Sequence, residues 1–189
     1  MASVQDEFRA TMSRFATGVT VVTTAEDGLA YGATVNAFCS VSLDPPLVLI
    51  SLEHRSNTLA VLRRSGVFAI NVLSAAQQHL ARRFARKEAD GHKPFSDIAL
   101  RTGVTGAPLF AESLARIECR VASEYPGGDH TLVLGEVVAL DYAAESAEEG
   151  EDDESSAPLT YYRSTFGTLR DEHAPLRAPM PAVDPISAR

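Results

Sequence analysis

The chain has 189 residues, 45% of them hydrophobic, and this length suits one well-buried domain better than two. No apolar run approaches the roughly 20 residues that a membrane-spanning helix needs, and Asp6, Glu7 and Arg9 stand where a signal peptide would be apolar. These features predict a cytoplasmic protein that has no membrane partner.

The net charge of −8 is concentrated in one segment, because 145–154 holds seven acids and no base. The rest of the chain carries 18 acids and 17 bases. A nearly neutral body offers no basic surface to nucleic acid, and an acidic run of this kind is typical of a solvated loop.

The cysteines and histidines do not form a metal-binding pattern. Cys39 and Cys119 are far apart and outside any CxxC motif, which predicts two buried free thiols in a reducing compartment. The five histidines show neither HxxxH nor HExxH spacing, so we expect no metal site.

The first predicted element is an amphipathic helix. Val4, Phe8, Met12 and Phe15 fall on one helical face, and Ser3 is its predicted N-cap. This apolar face predicts that the helix covers a barrel or packs at its end. The β-branched run at 18–24 and the turn AEDG then predict a hairpin.

The segment 31–52 predicts a strand, a proline-containing turn and a second strand. Small or polar side chains leave one surface of this segment nearly without bulk. The residues concerned are Gly32, Ala33, Thr34, Asn36, Ala37, Ser40 and Ser42. A flat ligand with polar edges fits such a surface. The alternative is a small-residue strand packed under a helix.

Two further helices are predicted from their end signals. The first spans 56–65 and stops at Gly66, and the strand 67–73 follows it. Ser74 and Gln77 form a capping-box pattern that opens the second helix, whose last turn is basic.

The segment 87–109 has little periodicity and predicts a long loop that covers a site, anchored by Phe95 and Phe110. Beyond it, the alternating pattern of 114–123, the turn YPGGD and the strand 130–142 predict an antiparallel hairpin.

Many strands, few helices and short connections predict a closed or sandwich-like antiparallel sheet rather than a parallel α/β fold. The chain contains neither GxGxxG nor GxxxxGK[ST], which disfavours a Rossmann turn or a P-loop. We expect one domain at 1–170, followed by a proline-rich, extended tail at 171–189.

Five motifs in fixed order carry a resemblance to a known family: GATVNAFCSVSLDPPLVLISL, HRSNT, GVFAINVLSAAQQHLARRFA, GGDH and PLTYYRSTFGTL. Across about 8–169 the chain resembles the short-chain flavin reductases, the NAD(P)H:flavin oxidoreductase components of two-component flavin-dependent monooxygenases. The resemblance implies a mainly β, FMN-binding split β-barrel, antiparallel and Greek-key-like, with a few peripheral helices.

The flavin-binding residues implied by this resemblance and by side-chain chemistry fall into two groups. Those beside the ring are Ala33, Thr34, Val35, Asn36, Ala37, Val41 and Phe84. Those suited to the phosphate of FMN or FAD are Ser40, Ser42, Ser51, Arg55, Ser56, Asn57 and Thr58, because hydroxyls, arginine and a helix N-terminus bind anions. A simple serine cap beside an exposed arginine is the alternative.

The resemblance also implies that Gly128, Asp129, His130 and Tyr162 lie on the nicotinamide side, with His130 orienting NADH or NADPH. A lone histidine at a turn is more often only a surface residue. The resemblance places Arg82, Arg83, Phe84, Tyr161 and Tyr162 beside the flavin or a subunit contact. The alternative for this last group is that its aromatic residues belong to the hydrophobic core and its arginines are simply solvated.

The predicted function is an NAD(P)H-dependent flavin reductase, a homodimer that supplies reduced FMN or FAD to a partner monooxygenase by diffusion. One alternative is a flavin-binding carrier or redox sensor without reductase turnover. Another is an oxidase of a phosphorylated vitamin B6 form on a related barrel, against which the motifs SVSLDPP and GDH argue. The choices between FMN and FAD and between NADH and NADPH stay open.

Overall fold

The computed structural model describes residues 3–86, 93–143 and 154–169. The helices are α1 (Val4–Met12), α2 (Asn57–Ser65) and α3 (Gln78–Ala85), and a 3₁₀ turn at Ala75–Gln77 leads into α3. The strands are β1 (Thr17–Gly18), β2 (Thr20–Glu26), β3 (Leu29–Val35), β4 (Phe38–Leu43), β5 (Pro46–Glu53), β6 (Val67–Val72), β7 (Leu100–Arg101), β8 (Leu109–Phe110), β9 (Ala115–Gly127), β10 (His130–Tyr142), β11 (Leu159–Tyr162) and β12 (Thr165–Thr168).

Seven strands form the main sheet, in the order β3-β2-β6-β9-β10-β5-β4, and each neighbouring pair is antiparallel. Its two end strands, β3 and β4, are joined directly by Asn36 and Ala37. The N–H of Ser51 in β5 donates to the carbonyl of Ala37 at 3.1 Å, which extends the pairing of β4 with β5 up to the crossing. The predicted fold class, a mainly β split barrel, is confirmed.

The segment 31–52 contains three strands where the sequence predicted two. β3 pairs with β2, whereas β4 pairs with β5 at the opposite end of the sheet, so the chain must break its strand to cross between them. Asn36 and Ala37 make that crossing. The turn between β4 and β5 holds a cis peptide bond at Asp44–Pro45.

The β-branched run predicted as a strand is β2, and it is buried on both faces. Val21 packs into one hydrophobic cluster with α3, and Val22 packs into another with α2, so the sheet carries a core on each side. Asp27 and Gly28, with φ of 51° and 76°, close the predicted hairpin in the left-handed conformation that a two-residue turn requires.

Helix α1 has the predicted cap, because the Ser3 hydroxyl accepts from the N–H of Asp6 at 3.1 Å. The predicted packing is wrong within the single chain. Val4, Phe8, Met12 and Phe15 are 79%, 65%, 51% and 69% exposed. The amphipathic pattern describes a face that the described part of this chain leaves uncovered.

The end signals of α2 and α3 are confirmed. Ser56 Oγ accepts from the N–H of Leu59, and Gly66 closes α2 with a φ of 70°. At the start of the next helical segment, the N–H of Ser74 donates to the Gln77 side-chain oxygen at 3.2 Å.

The predicted loop 87–109 contains β7, which pairs with β8, and Phe95 and Phe110 anchor it as expected. Residues 87–92, most of the acidic segment and the proline-rich tail lie outside the described residues, so the division into 1–170 and 171–189 stays a prediction. No helix in the described ranges has the length and apolarity to cross a membrane.

The prediction of two buried thiols is half wrong. Cys119 is buried, but Cys39 is exposed because β4 is an end strand of the sheet. Burial, with a smaller contribution from the neighbouring Glu118 carboxylate, raises the pKa of the Cys119 thiol to about 12. Cys119 is therefore a thiol at neutral pH and is unreactive while the protein is folded.

We expect the variant Cys39→Ser to show no thiol that reacts with Ellman's reagent in the native state at pH 8. One thiol should react after unfolding in guanidinium chloride, because only then is Cys119 solvated. The wild type, assayed in parallel, shows how much of the reaction comes from Cys39. Rapid reaction of the folded variant would contradict the burial of Cys119.

Candidate functional site

A cleft of about 510 Å³, here called the main cleft, opens where the chain crosses between the sheet ends. This volume falls within the range of small-molecule sites. Its lining residues are Ala33, Thr34, Val35, Asn36, Ala37, Ser51, Leu52, Glu53, Arg55, Ser56, Asn57, Thr58, Phe84, Ala85, Arg86, Lys93 and His130.

Most residues proposed from the sequence come together here. The cleft contains the whole segment 33–37, Ser51, the segment 55–58, Phe84 and His130. These residues come from five places in the chain, and only the curled sheet brings them together.

Six proposed residues do not line the main cleft. Ser40, Val41 and Ser42 lie on β4, beyond the crossing, where the strand pairs with β5. Gly128 and Asp129 form the turn that precedes β10, next to the cleft. Tyr162 ends β11 and lines a separate groove.

Five lining residues were missed from the sequence: Leu52, Glu53, Ala85, Arg86 and Lys93. The first four directly follow residues that were identified, so extending each motif by one or two positions would have found them. Lys93 carries no such signal, because it stands in a segment without periodicity.

The end of β3 forms the floor of the cleft, and small side chains keep it open. The Thr34 hydroxyl donates to the carbonyl of Ala81 in α3 at 2.7 Å. Because its hydrogen is used in this bond, the hydroxyl can only accept a hydrogen bond from a ligand. The amide of Asn36 reaches the Thr17 hydroxyl at 3.4 Å. Ala33 and Ala37 let a ligand approach the backbone closely.

The N-terminus of α2 forms the end of the cleft that suits an anion. Arg55, Ser56, Asn57 and Thr58 surround the helix start, where free N–H groups and the helix dipole favour negative charge. Ser56 also caps α2, so the cap and the cleft position predicted as alternatives are both present. A phosphate is the ligand group that this donor set suits.

His130 begins β10 and lies opposite Glu53 in the strand register. Its Nδ1 is 2.7 Å from Oδ1 of Asp129, which leaves Nε2 as the nitrogen for a ligand in the cleft. The same hydrogen bond, reinforced by the imidazole charge, holds the pKa of Asp129 below its ordinary value. Asp129 therefore orients the ring from outside the cleft.

The end of α3 and the segment after residue 92 form the opposite wall. The centres of the Phe84 and Phe95 rings are 5.0 Å apart. Arg83 makes a bidentate ion pair with Asp97, with both N–O distances at 2.6 Å. A Cβ at Gly32 would come within 2.9 Å of the Phe84 ring, so this position of β3 suits only glycine. The wall is packed tightly against the floor.

A second cleft adjoins the main cleft and shares four residues with it, which are Thr34, Asn36, Ala85 and Arg86. It contains Arg82, Tyr161 and Phe166. The Arg82 guanidinium lies 5.2 Å above the Phe166 ring, so this arginine is stacked rather than simply solvated. Arg82 and Tyr161 thus lie beside the main cleft without lining it.

Within the described ranges, no three histidine, cysteine, aspartate or glutamate side chains are grouped as metal ligands would be. The arrangement suits a flat organic ring on the floor and an anionic group at α2. His130 stands at the rim, where a second ligand would enter.

Comparison with known proteins gives one consistent result. Residues 12–170 match the family model described as "Flavin reductase like domain". The reductase component of 4-nitrophenol 4-monooxygenase/4-nitrocatechol 2-monooxygenase from Rhodococcus opacus is 40% identical over 161 residues, covering 85% of this chain and 79% of that protein. Flavin reductase (NADH) from Kitasatospora aureofaciens is 38% identical over 176 residues, covering 92% and 86%.

The fold gives the same answer. The solved structure of the NADH:FAD oxidoreductase SgcE6 from Streptomyces globisporus C-1027 superimposes with a TM-score of 0.77 at 34% identity. The superposition covers 89% of this chain and 95% of that one.

We expect Arg55→Gln to weaken FMN binding about 10- to 100-fold, the usual loss of a hydrogen bond to a charged group. Riboflavin, which has no phosphate, should bind both proteins equally. Arg64→Gln is the matched control, because Arg64 pairs with Glu26 on the surface at 2.6 Å. Fluorescence titration measures the affinity of wild type and both variants for each ligand, and an equal loss for riboflavin would contradict a phosphate role for Arg55.

Proposed function

Because this chain belongs to the family of flavin reductase like domains, we propose that its main cleft is where flavin and NADH meet. The protein is an NADH-dependent flavin reductase. The single observation that carries the location is the joining, in one cleft, of an open floor, an anion-binding helix end and a rim histidine.

The reaction passes a hydride from C4 of the nicotinamide to N5 of the flavin, which also takes up a proton, and NAD⁺ leaves. Flavin is a substrate here as well as a cofactor. The transfer needs no acid or base from the protein, so the work of the cleft is to hold two rings face to face.

Each part of the cleft has a proposed role in that alignment. The end of α2 with Arg55 anchors the flavin phosphate, and the small floor residues let the flavin ring lie against the backbone of β3. His130, oriented by Asp129, places the nicotinamide from the rim. The tight packing of Phe84 excludes water from the wall side.

The reduced flavin serves a separate monooxygenase, as the names of relatives such as the 4-nitrophenol monooxygenase component indicate. We propose that it travels by diffusion, since the main cleft is open to solvent. The cytoplasmic location predicted from the sequence stays a prediction.

We further propose that the protein is a homodimer held in part by α1. Three large apolar side chains on one face of this helix, and Phe15 just beyond its end, are exposed, although the N-cap and pattern are those of a packed helix. The helix is tied to the β11–β12 hairpin, where the N–H of Arg163 donates to the carbonyl of Ser13 at 2.7 Å. A second copy would cover this face.

The reductase role predicts that NADH bleaches bound FMN in anaerobic stopped flow, and that His130→Ala slows this step about 10- to 100-fold by loosening ring alignment. His79→Ala is the control, because His79 is exposed on α3 and lies outside the main cleft. If wild-type protein binds FMN that stays oxidised with NADH, the protein is a flavin carrier or sensor instead.

Light scattering at micromolar concentration should give twice the monomer mass for the wild type. Phe8→Asp should shift the protein towards the monomer, because it places a charge in the proposed interface. Val104→Asp changes an equally exposed apolar residue elsewhere and should stay dimeric. A monomeric wild type refutes the homodimer.

A further inference from the structure

The hydrogen bond between Asp129 and His130 decides which nitrogen of the imidazole carries a hydrogen. Oδ1 of Asp129 lies 2.7 Å from Nδ1 of His130. This contact holds the pKa of Asp129 below its ordinary value, so the carboxyl group is ionised at neutral pH. An ionised carboxylate only accepts hydrogen bonds, so Nδ1 must be the donor. In the neutral ring, Nε2 therefore has no hydrogen and is an acceptor.

The backbone around this pair is held by neighbouring strands. His130 is the first residue of β10, and it pairs with Glu53 of β5 and with the end of β9. The carbonyl of Asp129 accepts from the N–H of His54 at 3.0 Å. The Asp129 side chain is 91% exposed and does not line the main cleft. Asp129 therefore acts on a ligand in the cleft only through the imidazole.

The rim beside His130 offers acceptors rather than donors. Glu53 lies opposite His130 in the strand register and lines the main cleft with it. A carboxylate accepts and does not donate, and Nε2 of the neutral ring does the same. Arg55 also lines the cleft, but it stands beside the start of α2, where the phosphate is proposed to bind. A ligand at this rim is therefore recognised by a group that donates.

The carboxamide of nicotinamide has one end that donates and one that accepts. Its NH2 group matches an acceptor at Nε2, whereas its carbonyl oxygen does not. We propose that Asp129 is a positioning residue that makes His130 an acceptor for this NH2 group and so selects the carboxamide of NADH. The inference rests on the proposed meeting of flavin and NADH in the main cleft. Its consequence is one fixed orientation of the nicotinamide ring, which hydride transfer requires.

The first test is NMR of protein labelled with ¹⁵N-histidine, at about pH 8.5, where imidazole is ordinarily neutral. The nitrogen shifts show which ring nitrogen carries the hydrogen, and His130→Ala identifies the His130 signals by their loss. We expect the hydrogen on Nδ1 in the wild type. Asp129→Asn should move it towards Nε2, because an asparagine amide can donate to Nδ1. A wild type with the hydrogen on Nε2 would overturn the proposal.

The second test compares NADH with its acetylpyridine analogue, in which a methyl group replaces the NH2 group and the carbonyl remains. Anaerobic stopped flow with bound FMN gives the apparent dissociation constant of each nucleotide separately from the rate of hydride transfer. We expect Asp129→Asn to lower the preference for NADH about tenfold, the usual loss of one hydrogen bond. The ring of this variant donates to the carbonyl, which both nucleotides have.

Two further variants serve as controls. Asp129→Glu keeps a carboxylate acceptor and should keep most of the preference. Asp27→Asn makes the same change at an exposed aspartate in the turn between β2 and β3, and should leave the preference unchanged. A general loosening of the rim weakens both nucleotides equally, so the ratio reports on the tautomer. Circular dichroism checks folding, and Asp129→Ala replaces Asp129→Asn if the latter does not fold.

An unchanged ratio in the folded Asp129→Asn variant would overturn the recognition of the NH2 group, whatever the change in either affinity alone. Failure of the reductase function is a separate outcome, because the NMR measurement uses neither flavin nor NADH. A wild type that binds FMN but does not oxidise NADH would refute the function instead.

Discussion

The crossing of the chain at Asn36 and Ala37 is the constraint on which the rest of the site depends. It carries the backbone from one end of the main sheet to the other, and directly after it the hydrogen bond from Ser51 to Ala37 begins the pairing of β4 with β5. The floor of the main cleft is this crossing and the end of β3. A side chain of ordinary size there would fill the space that the proposed flavin position needs.

The second determinant is the placement of two helices by the two faces of the sheet. α2 packs on one core and α3 on the other, so the cleft receives the start of one helix and the end of the other. The cleft therefore has the positive end of the α2 dipole on one side and the negative end of the α3 dipole on the other, which suits a ligand that is anionic at one end.

Local signals predicted much of this structure correctly. Ser3, Ser56 and Gly66 act as the caps that their positions indicate, and the Asp27–Gly28 turn closes its hairpin. Features that depend on contacts between distant segments of the chain were predicted wrongly. The β3–β4 break was missed because pairing with opposite ends of one sheet leaves no mark in local alternation, and Cys39 was misplaced because its strand is an edge.

The sequence by itself determined the antiparallel class, the capped helices and the motif segments that supply most of the cleft. Those are properties of neighbours within a few residues, where periodicity and capping act. Only the tertiary structure brought Lys93 to the cleft wall and left Ser40 and Ser42 outside it. Strand register and sheet curvature decide such contacts, and both arise from packing between segments far apart in the chain.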